Sequence, residues 1–118
     1  MIQILNSENK QVIAVKIAGD ISKKDIQKIH PLIHNVRNKG MKVRWYFELV
    51  DFTGYDLDGL WADLKVDVAH FNGYGKMAMV GHKKWQELAT EVTDFFTSSE
   101  VRFFEPHQKE EAKQWIIK

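Results

Sequence analysis

His30 and His34, in "HPLIH", are the first side chains of this chain that could act together on one metal. Their spacing of four turns both imidazoles to one side of a helix. A closed metal site needs about four ligands, and the segment lacks the glutamate of a zinc-protease helix. The two histidines therefore read as polar residues bordering an apolar face, and no metal or other cofactor is expected. "NGYGK" (72–76) looks superficially like a phosphate-binding loop. Such a loop follows a strand and opens a helix, whereas these glycines follow a helical pattern and precede a strand-like one. They read as a helix-to-strand turn.

Catalytic residues are harder to assemble. No G-x-S-x-G elbow accompanies the serines, and Ser98-Ser99 falls in a connecting loop. Asp63, in "LWADLK", lies beside an apolar stripe and reads as a helix-surface carboxylate near Lys65. No set of acid and base assigns itself, so a non-enzyme is expected. Arg37, Lys39, Lys42 and Arg44 surround one turn, with Trp45 and Tyr46 following. That mixture occurs on nucleic-acid surfaces, but Trp45 falls on the apolar side of a strand and belongs to the core. Nucleic acid is not an expected partner. The stretch "DFTGYDLDGLW" (51–61) joins a strand to a helix, where α/β proteins place anion sites. Asp56 and Asp58 would repel a phosphate there and favour the helix itself, as caps or first-turn charges.

The elements that must position these residues follow from hydrophobic period. "IQIL" (2–5) and "QVIAVKIA" (11–18) are strand-like runs joined by a turn at "NSENK". In the second, Ile13, Val15 and Ile17 share one face and Lys16 takes the other. Ser22 and Asp25 resemble a capping box, followed by Ile26, Ile29, Ile33 and Val36 at helical spacing. Pro31 lies inside that helix and should bend it, and Gly40 should end it. "KVRWYFELV" (42–50) alternates strictly and is the strongest strand. Leu57, Trp61, Leu64, Val68 and Phe71 mark a second helix, and "KMAMV" (76–80) a buried strand. Trp85, Leu88, Val92, Phe95 and Phe96 mark a third helix, "VRFF" (101–104) the last strand. Ala112, Trp115 and Ile116 face inward from a fourth helix.

The order β-β-α-β-α-β-α-β-α predicts an α/β fold. Its five-stranded sheet should be mostly parallel, with an antiparallel edge strand and four helices. At 118 residues without a linker or repeat, the chain reads as one domain over 1–118. It has no cysteine, which excludes disulfides and thiolate chemistry, and a formal net charge of +1, which gives no strong field toward nucleic acid or anionic lipid. The N-terminus turns polar at Asn6, and no run reaches the roughly 18 apolar residues of a membrane span. A cytoplasmic protein, with at most peripheral membrane contact, is expected.

Three stretches carry a family resemblance: "KVRWYFELVDFTGYDLDGLWADLK", "HFNGYGKMAMVGHKKWQELAT" and "VRFFEPHQKEEAKQWI". With them, the chain resembles the SpoIIAA-like proteins, which are related to STAS domains and share features with SEC14/CRAL-TRIO lipid-binding domains. The resemblance implies that "DLDGL" occupies the place of an Asp-Ser-Ser-Gly-Leu switch whose first serine is phosphorylated. Asp56, Gly59 and Leu60 match; Leu57 replaces the acceptor serine and Asp58 the second. Leucine has no hydroxyl, so phosphoryl transfer at that position is chemically impossible.

The lipid-binding relatives imply a non-catalytic domain for a small apolar or lipid-like ligand, with transient membrane association. The expected ligand-binding residues are Leu57, Leu60, Trp61, Leu64, Trp85 and Leu88, with Gly54, Gly59 and Gly81 as hinges for opening. The alternative is a phosphorylation-independent interaction module with a protein partner in a regulatory complex. A pocket between helices and sheet would favour the first, a solid core with an apolar surface patch the second.

Overall fold

The computed structural model describes residues 1–19, 22–52, 74–83, 87, 90, 93 and 99–118. Five strands form one sheet in the order β1-β2-β3-β4-β5. They are β1 (Ile2–Leu5), β2 (Val12–Gly19), β3 (Val43–Phe52), β4 (Tyr74–Val80) and β5 (Glu100–Phe104). β1 pairs antiparallel with β2, and every other pairing is parallel. The hairpin thus adds an edge strand to a parallel sheet, as the element order predicts.

Strand period explains why both faces of this sheet are apolar. On one face Ile13, Val15 and Ile17 of β2 meet Trp45, Phe47 and Leu49 of β3, and Met77 and Met79 of β4. Trp45 stacks on Phe47 at 5.0 Å between ring centroids and meets Tyr74 edge-on at 5.5 Å. Its indole N–H is buried and has no hydrogen-bond partner among the described residues. The expectation that Trp45 belongs to the core holds. On the other face Val12, Ala14, Tyr46, Ala78, Val80 and Phe104 form a smaller cluster. Strands buried on both sides are characteristic of parallel sheets.

The helices differ from expectation in one instructive way. The stripe Ile26, Ile29, Ile33 and Val36 is buried as predicted, but it is divided between two helices, α1 (Lys23–Gln27) and α2 (His30–Asn38), with Ile29 as the residue that precedes α2. Pro31 stands in the first turn of α2 rather than inside a longer helix. First-turn N–H groups have no intrahelical acceptor, so proline costs nothing there and its fixed φ suits the position. The chain breaks before the proline instead of bending at it. Gly40 adopts φ +75°, and its N–H donates to Arg37 O at 2.9 Å, closing α2 as its sequence position predicts.

The expected count of four helices is likewise not reproduced. Two helices of nine residues occur among the described residues, α2 and α3 (Lys109–Ile117), one on each face of the sheet. The helices expected over 57–71 and 83–96 lie outside the described residues, although Glu87, Thr90 and Thr93 are individually helical and exposed. No helix among the described residues is long and apolar enough to cross a membrane.

The capping box predicted at Ser22 is present. Asp25 N–H donates to Ser22 Oγ at 3.3 Å, and Ser22 N–H donates to Asp25 Oδ2 at 2.9 Å. Burial pushes the Asp25 carboxyl up. Hydrogen bonds from Ser22, the Ile2 N–H and the nearby terminal ammonium outweigh this and hold it below its ordinary value of 3.8. A carboxylate with a depressed folded pKa stabilises the fold above its unfolded pKa, and that contribution disappears as pH falls through the folded value. Asp25→Asn should therefore lower stability at pH 7 by about 1 kcal/mol and flatten the acid limb below about pH 4. Denaturant titrations at pH 7 and pH 3 check this; equal losses at both would contradict it.

Candidate functional site

Helix α3 lands on the sheet because its ends are held differently from its middle. Ala112 and Ile116 are buried against β3, β4 and Phe104. At its C-terminus the last carbonyls receive cations from the strands beneath. Arg44 donates to Ile116 O at 2.9 Å, and Lys76 donates to Trp115 O at 3.3 Å. Positive charge at that end is favoured by the helix dipole. Lys76 also lies 5.0 Å from the centre of the Trp115 ring, a cation–π contact that fixes its stem. The helix runs antiparallel to β3, with Lys109 beside Glu48 and Ile116 beside Arg44.

Placed there, α3 covers β3 and β4 and leaves the β1–β2 side of the same face open. The result is a groove of about 850 Å³. Its floor is Leu5, Val12, Ala14 and Tyr46, with Ile116 and Ile117 on the helix side. The loop Asn6–Asn9 closes one end. Lys16, Glu48 and Lys109 close the other, four residues further along β2. A smaller concavity of about 250 Å³ lies beyond them, at the C-terminal ends of β3 and β4, and shares Glu48 and Lys109 as lining.

The charged end is a compact network. Lys109 Nζ lies 3.1 Å from Glu48 Oε1, and Lys16 Nζ lies 4.0 Å from Glu48 Oε2. Tyr46 Oη donates to Glu48 Oε1 at 3.3 Å. Burial and the Glu48 charge push the Tyr46 hydroxyl far above its ordinary value of 10.0, so it stays protonated and donating. The parallel register explains the assembly, since Lys16 and Glu48 are direct partners between β2 and β3. Two ammonium groups on one carboxylate leave this end with a net positive charge. The arrangement is an elongated concavity with an apolar floor and one charged end.

The residues expected to bind ligand, Leu57, Leu60, Trp61, Leu64, Trp85 and Leu88, lie outside the described residues, as do Gly54, Gly59 and Asp63. Gly81 is described. It is buried, and its N–H donates to Phe104 O at 3.0 Å. A Cβ there would sit 3.0 Å from Leu49 Cβ, so close approach of a side chain accounts for the glycine. Gly81→Ala should cost about 1–3 kcal/mol by overpacking; an unchanged denaturation midpoint would contradict that.

His30 is half-buried and His34 exposed. Among the described residues no three metal-ligating side chains gather. Treatment with a chelator should leave the melting temperature unchanged, and a drop reversed by zinc would contradict this. Of "NGYGK", Tyr74, Gly75 and Lys76 belong to β4, where Lys76 is bonded to α3, and Asn72 and Gly73 lie outside the described residues. The basic run 37–44 is divided: Lys39 and Lys42 are exposed, whereas Arg44 anchors α3.

Sequence reading missed Lys16, Glu48 and Lys109 as a group. The available signal was a lysine and a glutamate each interrupting an apolar strand. Their pairing needs the register, which the pattern alone does not supply.

A family model described as SpoIIAA-like matches residues 12–117. Among solved structures, the chain is similar to an uncharacterized protein from the DUF3478 family with a SpoIIAA-like fold, from Shewanella loihica PV-4. The two are 27% identical with a TM-score of 0.62, and the match covers 98% of this chain and 92% of that one. No curated protein matches the chain.

Proposed function

The chain belongs to the SpoIIAA-like family, and from that premise we propose that it is a non-catalytic binding domain for a small apolar or lipid-like ligand, with transient membrane association during exchange. The observation that carries the reading is the groove of about 850 Å³ between α3 and the bare side of the sheet. That volume falls within the range of about 300–1,000 Å³ usual for small-molecule sites, and the apolar floor is rimmed by polar and charged side chains of the hairpin loop and α3. A relationship of this family to STAS and SEC14/CRAL-TRIO domains, on which the ligand class first rested, belongs to the same proposal.

The test is native mass spectrometry of freshly purified protein, followed by titration with single-chain lipids. A retained or added lipid that Gln114→Trp excludes supports the groove, because that exposed α3 residue lines it. Loss of binding in Trp61→Ala and Trp85→Ala, with Gln114→Trp unaffected, would put the ligand at the aromatic segments 57–71 and 83–96 instead. Absence of binding to every lipid class, with no association with vesicles, refutes the reading.

A phosphorylation-independent protein-interaction module is the second reading, and β1 favours it. This strand is an edge of four residues without charge or proline, and Ile4 is 46% exposed. Such an edge can accept a strand from a partner. Ile4→Lys would abolish a partner complex of that kind, and phosphatase treatment would not.

A further inference from the structure

We infer that the groove takes a single-chain amphiphile with an anionic headgroup, the head seated between Lys16 and Lys109 and the chain lying along β2 toward Val12 and Ile117. This rests on the proposed reading of the groove as a ligand site and adds the ligand's polarity and direction. The two ends of the groove differ in charge. At one end Lys16 and Lys109 share the single carboxylate of Glu48, at 4.0 and 3.1 Å, which leaves one positive charge unmatched. Their side chains are 36% and 42% exposed, so both can turn to an incoming group, whereas Glu48 is 14% exposed and fixed by Tyr46. The nearest further acid, Glu110, is committed to Lys113 at 3.5 Å.

At the other end stand Val12 and Ile117, with Glu8 on the closing loop. The unmatched positive charge faces the groove at the first end, whereas at the second the one nearby strand cation, Arg44, is bonded to the Ile116 carbonyl and does not line the groove. From Val12 to Lys16 the floor spans about 13 Å at about 3.3 Å per residue, the reach of an alkyl chain of about ten to twelve carbons. Glu48 is thus an internal competitor, holding the lysines in place of the ligand's head until it arrives.

The experiment is calorimetric titration of the full chain with laurate and with monolaurin, its neutral glycerol ester, below their micellar concentrations. Laurate should bind about tenfold more tightly than monolaurin, the value of one charge-assisted hydrogen bond. Lys16→Met should reduce that preference while leaving monolaurin binding unchanged. Glu48→Gln should tighten laurate, a gain that a purely structural glutamate would not give. If Glu48→Gln unfolds the chain, Lys109→Arg, which keeps the charge, should retain the laurate preference that Lys109→Met loses. Dodecyl phosphate in place of laurate distinguishes a carboxylate from a phosphate headgroup; tight binding of either supports the inference. Equal affinity for laurate and monolaurin overturns the inference and leaves the groove reading standing. Binding of neither overturns both.

Discussion

Phe47→Ala should lower the unfolding free energy by about 3–5 kcal/mol, the cost of removing a large ring from a packed interior. Phe47 is fully buried at the centre of β3, stacked on Trp45 and packed among Val15, Ile17, Met77 and Met79. β3 is the middle of the five strands, so the cavity has neighbours on every side and little freedom to collapse. Urea denaturation followed by far-UV circular dichroism checks this. A loss below about 1 kcal/mol would mean that the face packs loosely.

Ala112→Asp should have an effect of similar size on a different part of the molecule. Ala112 is fully buried where α3 meets the sheet. A carboxylate placed there would be buried among the apolar side chains of Ala78, Val80 and Phe104, while Arg44 and Lys76 are bonded to carbonyls at the far end of the helix. An uncompensated buried charge costs about 3–5 kcal/mol. The helix should undock while the core on the α1–α2 face persists. The groove loses one wall, so lipid binding should vanish at a denaturant concentration where the Trp45 face remains folded. Retained binding in this variant would show that α3 is not part of the site.

The contrast between these two faces explains how much could be read from the residues alone. β3 was legible to within two residues because Val43, Trp45, Phe47 and Leu49 repeat with period two. The capping box at Ser22 and the stop at Gly40 were legible because each depends on neighbours a few positions away. Pro31 misled because proline is costly inside a helix and harmless in its first turn, and the stripe of isoleucines runs through the break without a gap. β4 starts at Tyr74, ahead of the expected Lys76, because Tyr74 pairs with Val43 of β3 before the register shifts, a long-range contact that the local pattern does not show.

The groove was not legible at all. It exists because α3 lands on β3 and β4 and not on β1 and β2. That choice is made by Arg44 and Lys76 reaching carbonyls of residues 116 and 115. Lys16, Glu48 and Lys109 come from three separate segments and meet only through the parallel register and that landing. The ligand-binding residues expected from the aromatic stretches 57–71 and 83–96 lie outside the described residues.

The most direct test of the account is the map of amide chemical-shift changes when laurate is added to uniformly nitrogen-15-labelled protein. The account predicts that the changes concentrate on Leu5, Val12, Ala14, Lys16 and Ile117, which line the groove, with slow or intermediate exchange and no change at Ile29 or Ile33 on the opposite face. Changes confined to residues 57–71 and 83–96, or none at saturating laurate, would contradict it.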